Sequence, residues 1–230
     1  MIFENKTIVV TGGTGALGRA VCKAFLDRGA VVHSSYIVEE ELKSLPDDLD
    51  HHDQFHTHKV DLTDEAAVSA WMSGLGKVNV LANIAGGFAM GGINDISLKD
   101  WQHMQNMNLT TCFLTSREAL KVMDPGHGRI INVASFAACQ RTGGMAAYTT
   151  SKAAVISLTE AIAEETLTQN ITVNAVLPTI MDTPGNRAGM PDADFATWVP
   201  VENVANTMVF LADENSWHIT GACIPLRGHC

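Results

Sequence analysis

Along the chain, short apolar runs rich in β-branched residues alternate with longer stretches whose apolar positions recur every three or four residues. Residues 6–11 (KTIVVT) form one such run, which a glycine cluster ends abruptly. Residues 16–28 then carry Leu17, Val21, Ala24, Phe25 and Leu26 at helical spacing. The pattern predicts further strands over 30–35, 55–60, 78–83, 129–134, 171–176 and 222–226. It predicts helices over 38–45, stopped by Pro46, and over 64–73, 97–123, 147–168 and 201–211, with 97–123 ended by Asp124-Pro125-Gly126. Such alternation is the signature of an α/β protein whose parallel sheet carries helices on both faces. Right-handed crossovers then favour a doubly wound order of about seven strands, in one domain over residues 1–230 with no internal repeat or linker.

Composition narrows the function. With 230 residues and 46% hydrophobic content the chain can bury a large core, and its formal net charge of −10 argues against a nucleic-acid partner. The start, Met-Ile-Phe-Glu-Asn-Lys, lacks a signal-peptide layout, and no apolar run approaches the ~18 residues of a membrane span. Five scattered cysteines (Cys22, Cys112, Cys139, Cys223, Cys230) without C-x-x-C spacing read as reduced thiols of a cytoplasmic protein.

The candidate chemistry gathers at two places. Thr11-Gly12-Gly13-Thr14-Gly15-Ala16-Leu17-Gly18 holds G-x-G-x-x-G between a strand and a helix. In that context missing side chains admit a pyrophosphate to the backbone, and the helix start offers free N–H groups. Tyr148 and Lys152, four apart at the head of the 147–168 helix, stack on one face. An ammonium beside a phenol stabilises the phenolate and is expected to lower its pKa toward neutrality. Ser135 emerges where the 129–134 strand ends.

Taken together these residues resemble the short-chain dehydrogenase/reductases over nearly the whole chain. Thr11 to Gly18 is similar to the family's cofactor loop, Asp61-Leu62 to its adenine-binding pair, and Asn83-Ile84-Ala85-Gly86 to its turn after strand four. Asn108, Ser135, Tyr148 and Lys152 match the catalytic tetrad, and Pro178, Ile180 and Thr183 the segment that meets the nicotinamide. Ile219-Thr220-Gly221 with the closing strand is similar to the C-terminal signature. The resemblance implies a Rossmann-type fold, a hydride exchanged between nicotinamide and a carbonyl or alcohol, and a homo-oligomer, a dimer or tetramer. It also implies that Tyr148 is the acid/base, Ser135 a donor to the substrate oxygen, and Asn108 a holder of relay water. Lys152 would hold the Tyr148 pKa down and bind the nicotinamide ribose. Ala16, Ile84 and Thr179 depart from the family pattern without removing a reacting group.

Strand two ends Ser34-Ser35-Tyr36, with neither the acid that grips an NAD ribose nor a base for an NADP phosphate. Ser35 and Tyr36 are the cofactor-binding candidates there. Glu39, Glu40 and Glu41 tip the reading to NAD(H) over NADP(H), and Arg19 is expected on the solvent face of its helix. The 179–199 loop, with Met190 and Trp198, resembles that of quinonoid dihydropteridine reductases, which generally lack the tetrad serine and asparagine; carbonyl chemistry is preferred and pterin reduction is the alternative. A non-catalytic dinucleotide sensor is a second alternative, which the intact tetrad disfavours. Phe88, Met90, Met145, Met190 and Trp198 are candidates for an apolar substrate pocket, and the loop for a lid that orders on binding. The histidines between His51 and His58 read as a solvated loop, and no metal is expected. Ala153, Ala154, Val155, Ile156, Leu158 and Ala161 suit helix packing between subunits.

Overall fold

Ile8 and Val10 bury on one side of the first strand and Val9 on the other, so both faces of the sheet are covered. The computed structural model describes residues 2–123, 125–140 and 142–229. Met1, Asp124, Arg141 and Cys230 lie outside the described residues, and with them the aspartate of the expected helix break and the fifth cysteine. In chain order the strands are β1 (Thr7–Thr11), β2 (Val31–Tyr36), β3 (Phe55–Lys59), β4 (Val80–Asn83), β5 (Arg129–Val133), β6 (Thr172–Pro178), β7 (Met181–Asp182), β8 (Val199–Pro200) and β9 (Cys223–Leu226). Seven form one parallel sheet in the order β3-β2-β1-β4-β5-β6-β9, while β7 and β8 pair only with each other. This is a single-domain, Rossmann-type α/β fold.

The chain steps outward from β1 to β3, returns to β4 beside β1, and then steps the other way. That reversal opens a crevice beyond the C-terminal ends of β1 and β4, where Thr11 pairs with Asn83. The helices are α1 (Ala16–Leu26), α2 (Glu39–Leu42), α3 (Asp47–Asp50), α4 (Glu65–Gly74), α5 (Leu98–Gln105), α6 (Thr111–Val122), α7 (Ala146–Thr166), α8 (Pro184–Gly189) and α9 (Val201–Ala212). Phe25, Leu49, Met208 and Leu211 bring α1, α3 and α9 onto one face of the sheet. Met72, Leu114 and Ile162 bring α4, α6 and α7 onto the other. β5 and β6 are buried at every position, as double coverage demands.

Several boundaries differ from the sequence reading for local reasons. The 97–123 helix is continuous in direction but passes through a π-helical turn, Asn106–Thr110, between α5 and α6. The 38–45 helix shrinks to α2, and Pro46, expected only as a stop, is the N-cap of α3. The 179–199 loop holds β7, α8, a one-turn 3₁₀ helix (Phe195–Thr197) and β8, so it is a small folded unit. His56 and His58 belong to β3 itself, and His33 of β2 meets His58 at 3.0 Å. Burial and the neighbouring imidazoles push the His33 pKa down to about 4. Val155 is buried against the chain's own sheet, which removes it from the expected intersubunit face; Ala153 and Ala161 are exposed. No helix among the described residues is long and apolar enough to cross a membrane.

Candidate active site

The glycine loop is shaped by what its side chains leave out. A Cβ on Gly18 would stand 2.2 Å from the Gly12 carbonyl oxygen, so α1 can begin this close to β1 only with glycine there. Gly15 is the N-cap of α1, and neither a side-chain cap nor a first-turn acid occupies the helix start. Its N–H groups and positive dipole end are therefore offered to an anion. Thr11 Oγ1 accepts from the Ile84 and Ala85 N–H groups at 2.9 and 3.0 Å, joining the loop to the turn after β4. Ser35 Oγ accepts from Gly12 N–H at 3.2 Å. Asp61 follows β3, exposed, its Oδ1 accepting the Thr63 N–H and hydroxyl, which hold its carboxyl below the usual range. A bare helix start, a glycine cradle and an acid farther along fit a dinucleotide. Gly12 to Gly18 would hold its pyrophosphate, and Ser35, Tyr36, Asp61 and Leu62 its adenosine half.

On the other side of the crevice, four polar side chains converge. Asn108 sits at the centre of the π-helical turn, 1% exposed, and its Nδ2 donates to the Gly87 carbonyl at 3.1 Å and to Ser151 Oγ at 3.0 Å. Its Oδ1 accepts from Gly87 N–H at 3.0 Å. π-turns inside helices recur at functional sites because the extra residue re-aims a side chain. A Cβ on Gly86 would stand 2.5 Å from Asn108 Oδ1 and 3.4 Å from Lys152 Nζ, so these two groups flank the bare glycine. Lys152 is 5% exposed and donates to the Val133 carbonyl at 2.7 Å; burial pulls its pKa down to about 8. Ser135 lies two residues past β5, 7% exposed; its Oγ accepts Ala137 N–H at 3.2 Å, and its hydroxyl beside the Tyr148 phenol draws that pKa down. Phe88 lies edge-on against the Tyr148 ring at 4.9 Å.

The expected lowering of the Tyr148 pKa is corrected by this geometry. Burial pushes the phenol up, and only the Ser135 hydrogen bond opposes it. The Lys152 ammonium is directed at a backbone carbonyl instead of the phenol.

Other expected site residues separate into those that face the crevice and those that brace it. Asn83 does not offer its side chain to a cofactor. Its Nδ2 donates to Ser116 Oγ and Asn132 Oδ1, both at 2.9 Å, and its Oδ1 accepts from Thr115 at 2.7 Å. Pro178 is buried at the end of β6, Ile180 is 38% exposed, and Thr183 Oγ1 caps α8 through Asn186 N–H at 3.1 Å. Met145 precedes α7 and Met190 follows α8, partly exposed. Trp198 is only 5% exposed and packs on Phe195 at 4.8 Å, so it supports its own loop. Arg19 leaves the solvent face expected for it and folds back to the Thr14 carbonyl at 2.5 Å. Sequence reasoning passed over Ser151 and Gly87, whose one available signal was adjacency to Lys152 and Gly86. No group of three or more His, Cys, Asp or Glu among the described residues could hold a metal ion.

With this geometry the comparisons with known proteins agree. The family model for short chain dehydrogenase matches residues 6–193. A 3-oxoacyl-acyl-carrier-protein reductase of Escherichia coli (strain K12) is 29% identical, covering 99% of this chain and 98% of its own length. The solved structure of a short-chain dehydrogenase/reductase from Serratia marcescens superposes with a TM-score of 0.90 at 30% identity, covering 100% of this chain and 99% of that one. A blue fluorescent protein from a metagenomic library, in complex with NADPH, superposes with a TM-score of 0.89 at 26% identity, covering 100% and 99%. The chain belongs to the short-chain dehydrogenase/reductase family and is an NAD(P)-dependent oxidoreductase acting between CH–OH and C=O.

Proposed function

We propose that the enzyme interconverts a carbonyl and an alcohol with Tyr148 as acid and base. The observation that carries this reading is the convergence of buried Lys152 and Asn108, which flank Gly86, with Ser135 and Tyr148 on the same side of the crevice. The dinucleotide, when bound, supplies or accepts the hydride. Burial raises the Tyr148 pKa, so at neutral pH the phenol holds the proton that a carbonyl oxygen needs on reduction. In the oxidative direction the same oxygen takes that proton from the alcohol. Ser135 donates to the substrate oxygen as negative charge develops on it. Lys152 binds the nicotinamide ribose, and Asn108 positions the proton path behind it while holding Gly87 in place.

Phe88, Met145 and Met190 form the apolar side of the substrate site, with Trp198 as a brace beneath it. The dinucleotide is NAD(H), and subunits pair through the α5–α6 and α7 faces that carry exposed Phe113, Ala153 and Ala161. Light scattering at micromolar concentration tests that assembly, a monomer overturning it.

The catalytic test is Tyr148→Phe. It is expected to lower turnover by about 100-fold or more while dinucleotide affinity stays within about twofold. A variant that keeps a substantial share of the rate overturns the acid/base role. The substrate panel should include ketones and quinonoid dihydropterin, because the sequence of the 179–199 loop favours the pterin alternative. Binding without turnover of any panel member would favour the sensor.

A further inference from the structure

The acidic stretch after β2 does not act as one block. Glu39 pairs with Lys59 on the surface at 2.5 Å, and Glu40 is exposed. Glu41 instead turns back to the glycine loop, where its Oε2 accepts the hydroxyl of Thr14, a fully buried residue between Gly13 and Gly15. Arg19 fixes that arrangement. Its Nε donates to the Thr14 carbonyl at 2.5 Å, and its Nη1 to the Ser44 carbonyl at 2.6 Å. Its Nη2 donates to the Glu41 carbonyl at 3.1 Å and to Ser44 Oγ at 2.7 Å. One guanidinium thus ties the glycine loop to α2 and to Ser44, two residues beyond it.

The fold decides which half of a dinucleotide passes here. Ser135, Tyr148 and Lys152 gather on the β5 side of the crevice, so the nicotinamide belongs there. The adenosine half must extend from the glycine loop over β2, toward Thr14 and α2. The end of β2 brings Ser34, Ser35 and Tyr36, none of which carries a charge at neutral pH. Charge at this point comes only from the neighbours. A guanidinium has five N–H donors, and four of those on Arg19 are already engaged with the chain. A carboxylate accepts at about four positions, and Thr14 takes one of them. About three acceptor positions of the Glu41 carboxylate thus remain against one N–H of Arg19, so the larger spare capacity beside the loop is that of the negatively charged acceptor. Ribose hydroxyls can donate to it; a 2′-phosphate would meet it as a like charge.

We propose that Glu41 selects NAD(H) over NADP(H), its carboxylate standing in for the acid that β2 lacks, and that Arg19 is the positioning residue that holds it against the loop. This rests on the dinucleotide-oxidoreductase reading and goes beyond it by naming the residues that choose the cofactor. Arg19, which could be taken for a phosphate-binding base, is here committed to holding the acid in place.

The test is calorimetric binding of NADH, NADPH, ADP-ribose and 2′-phospho-ADP-ribose to the full chain. The wild type is expected to bind NADH and ADP-ribose at least about tenfold more tightly than their 2′-phosphorylated counterparts. Loss of a hydrogen bond to a charged group and of the like-charge repulsion predicts that Glu41→Gln narrows or reverses that ratio by about 10- to 100-fold. Glu41→Lys should shift it further, and supplies a second readout if one variant folds poorly. Arg19→Gln should narrow the ratio in the wild-type background and leave it unchanged in the Glu41→Gln background, which a merely structural role would not do. A wild type that binds the phosphorylated ligands as tightly, or a ratio untouched by Glu41→Gln, overturns the proposal and leaves the oxidoreductase reading standing. Failure of the wild type to bind any of the four ligands overturns both.

Discussion

The glycine loop holds a glycine pressed against one of its own carbonyl oxygens, and the 179–199 loop has a glycine of the C-terminal tail pressed against one of its carbonyl oxygens. At Gly18 an added Cβ would stand 2.2 Å from the Gly12 oxygen, and at Gly228 it would stand 1.9 Å from the Thr197 oxygen. The local clash is comparable, but the surroundings are not. Gly18 lies in the first turn of α1 where the helix presses on the turn after β1, with Leu17 and Val21 buried beside it, so its backbone has nowhere to move. Gly228 lies in the tail after β9, held by His229 N–H on the Thr197 carbonyl at 2.8 Å and by its own N–H on Thr179 Oγ1 at 3.4 Å. That tail clasps both ends of the substrate loop, since the Thr179 N–H also donates to the Leu226 carbonyl at 2.9 Å. The cofactor side is built into the core, whereas the substrate side is a self-packed unit fastened at its rim. Binding a common cofactor and a particular substrate place different demands on rigidity, and the chain meets them with different attachments.

The largest effect should come from Gly18→Ala. Overpacking against a backbone that cannot shift is expected to cost about 3 kcal/mol in urea unfolding and to weaken dinucleotide binding by about 100-fold or more. An alanine variant with wild-type stability and affinity would break the claim that this side is rigid.

Lys152 stands at the seam of the two regions, and its titration gives the next largest effect. Its pKa falls from the ordinary 10.5 to about 8 in the folded chain. Between those values the unfolded chain binds a proton that the folded chain does not, so stability rises with pH. The ammonium's burial penalty is felt in full below pH 8. At 1.36 kcal/mol per unit, the dinucleotide-free protein should gain about 2 kcal/mol between pH 8 and 10 from this group. The raised Tyr148 pKa acts in the opposite sense: its contribution is lost as pH climbs from about 10 upward, so the window should end there. Denaturant unfolding of Lys152→Met across that range should lack the rise. A variant with the same pH profile as the wild type would show that the lysine is not desolvated.

What the sequence made legible follows the same division. G-x-G-x-x-G could be read because a strand precedes it and a helix follows, and that context gives the glycines a mechanism. Tyr148 and Lys152 could be read because helical spacing fixes their shared face. The π-turn around Asn108 could not, since one extra residue in one turn hardly disturbs an apolar period over 97–123. Nor could Arg19 and Glu41, which meet across 22 positions of chain. Trp198 was ambiguous for another reason: an apolar residue in a long loop can cover a ligand or its own loop, and only packing on Phe195 decides. The Tyr148 pKa went the other way because proximity in sequence says nothing of desolvation.

Gly228→Ala should sharpen the comparison. The tail can yield outward, so global stability should change by less than about 1 kcal/mol. The loop's clasp would open, and KM for substrate should rise several-fold while dinucleotide affinity stays constant. If Gly228→Ala destabilised the chain as much as Gly18→Ala, the tail would have to be counted part of the core.

The smallest effect concerns the interior of the substrate loop. Arg187 forms two bonds to Asp182, Nε to Oδ1 at 2.6 Å and Nη2 to Oδ2 at 2.8 Å, and its guanidinium lies over the Phe195 ring at 4.7 Å. Phe195 in turn packs on Trp198, so the chain Asp182–Arg187–Phe195–Trp198 links α8 to the 3₁₀ turn and β8. Asp182 also sits in β7, whose pairing with β8 closes the loop at its base. Exposed ion pairs of this kind are weak, but a bidentate arginine stacked on an aromatic ring adds orientation that a lone pair lacks. Arg187→Ala should leave the unfolding midpoint nearly unchanged and raise the rate of proteolytic nicking within 179–199 by roughly threefold. The loop is folded by its own contacts, so NAD(H) alone should slow that nicking only modestly, and a bound substrate or inhibitor should slow it further. Nicking that is fast in the wild type and stops only when both ligands are present would instead identify a lid that orders on binding, and the substrate side would then have no structure of its own to compare.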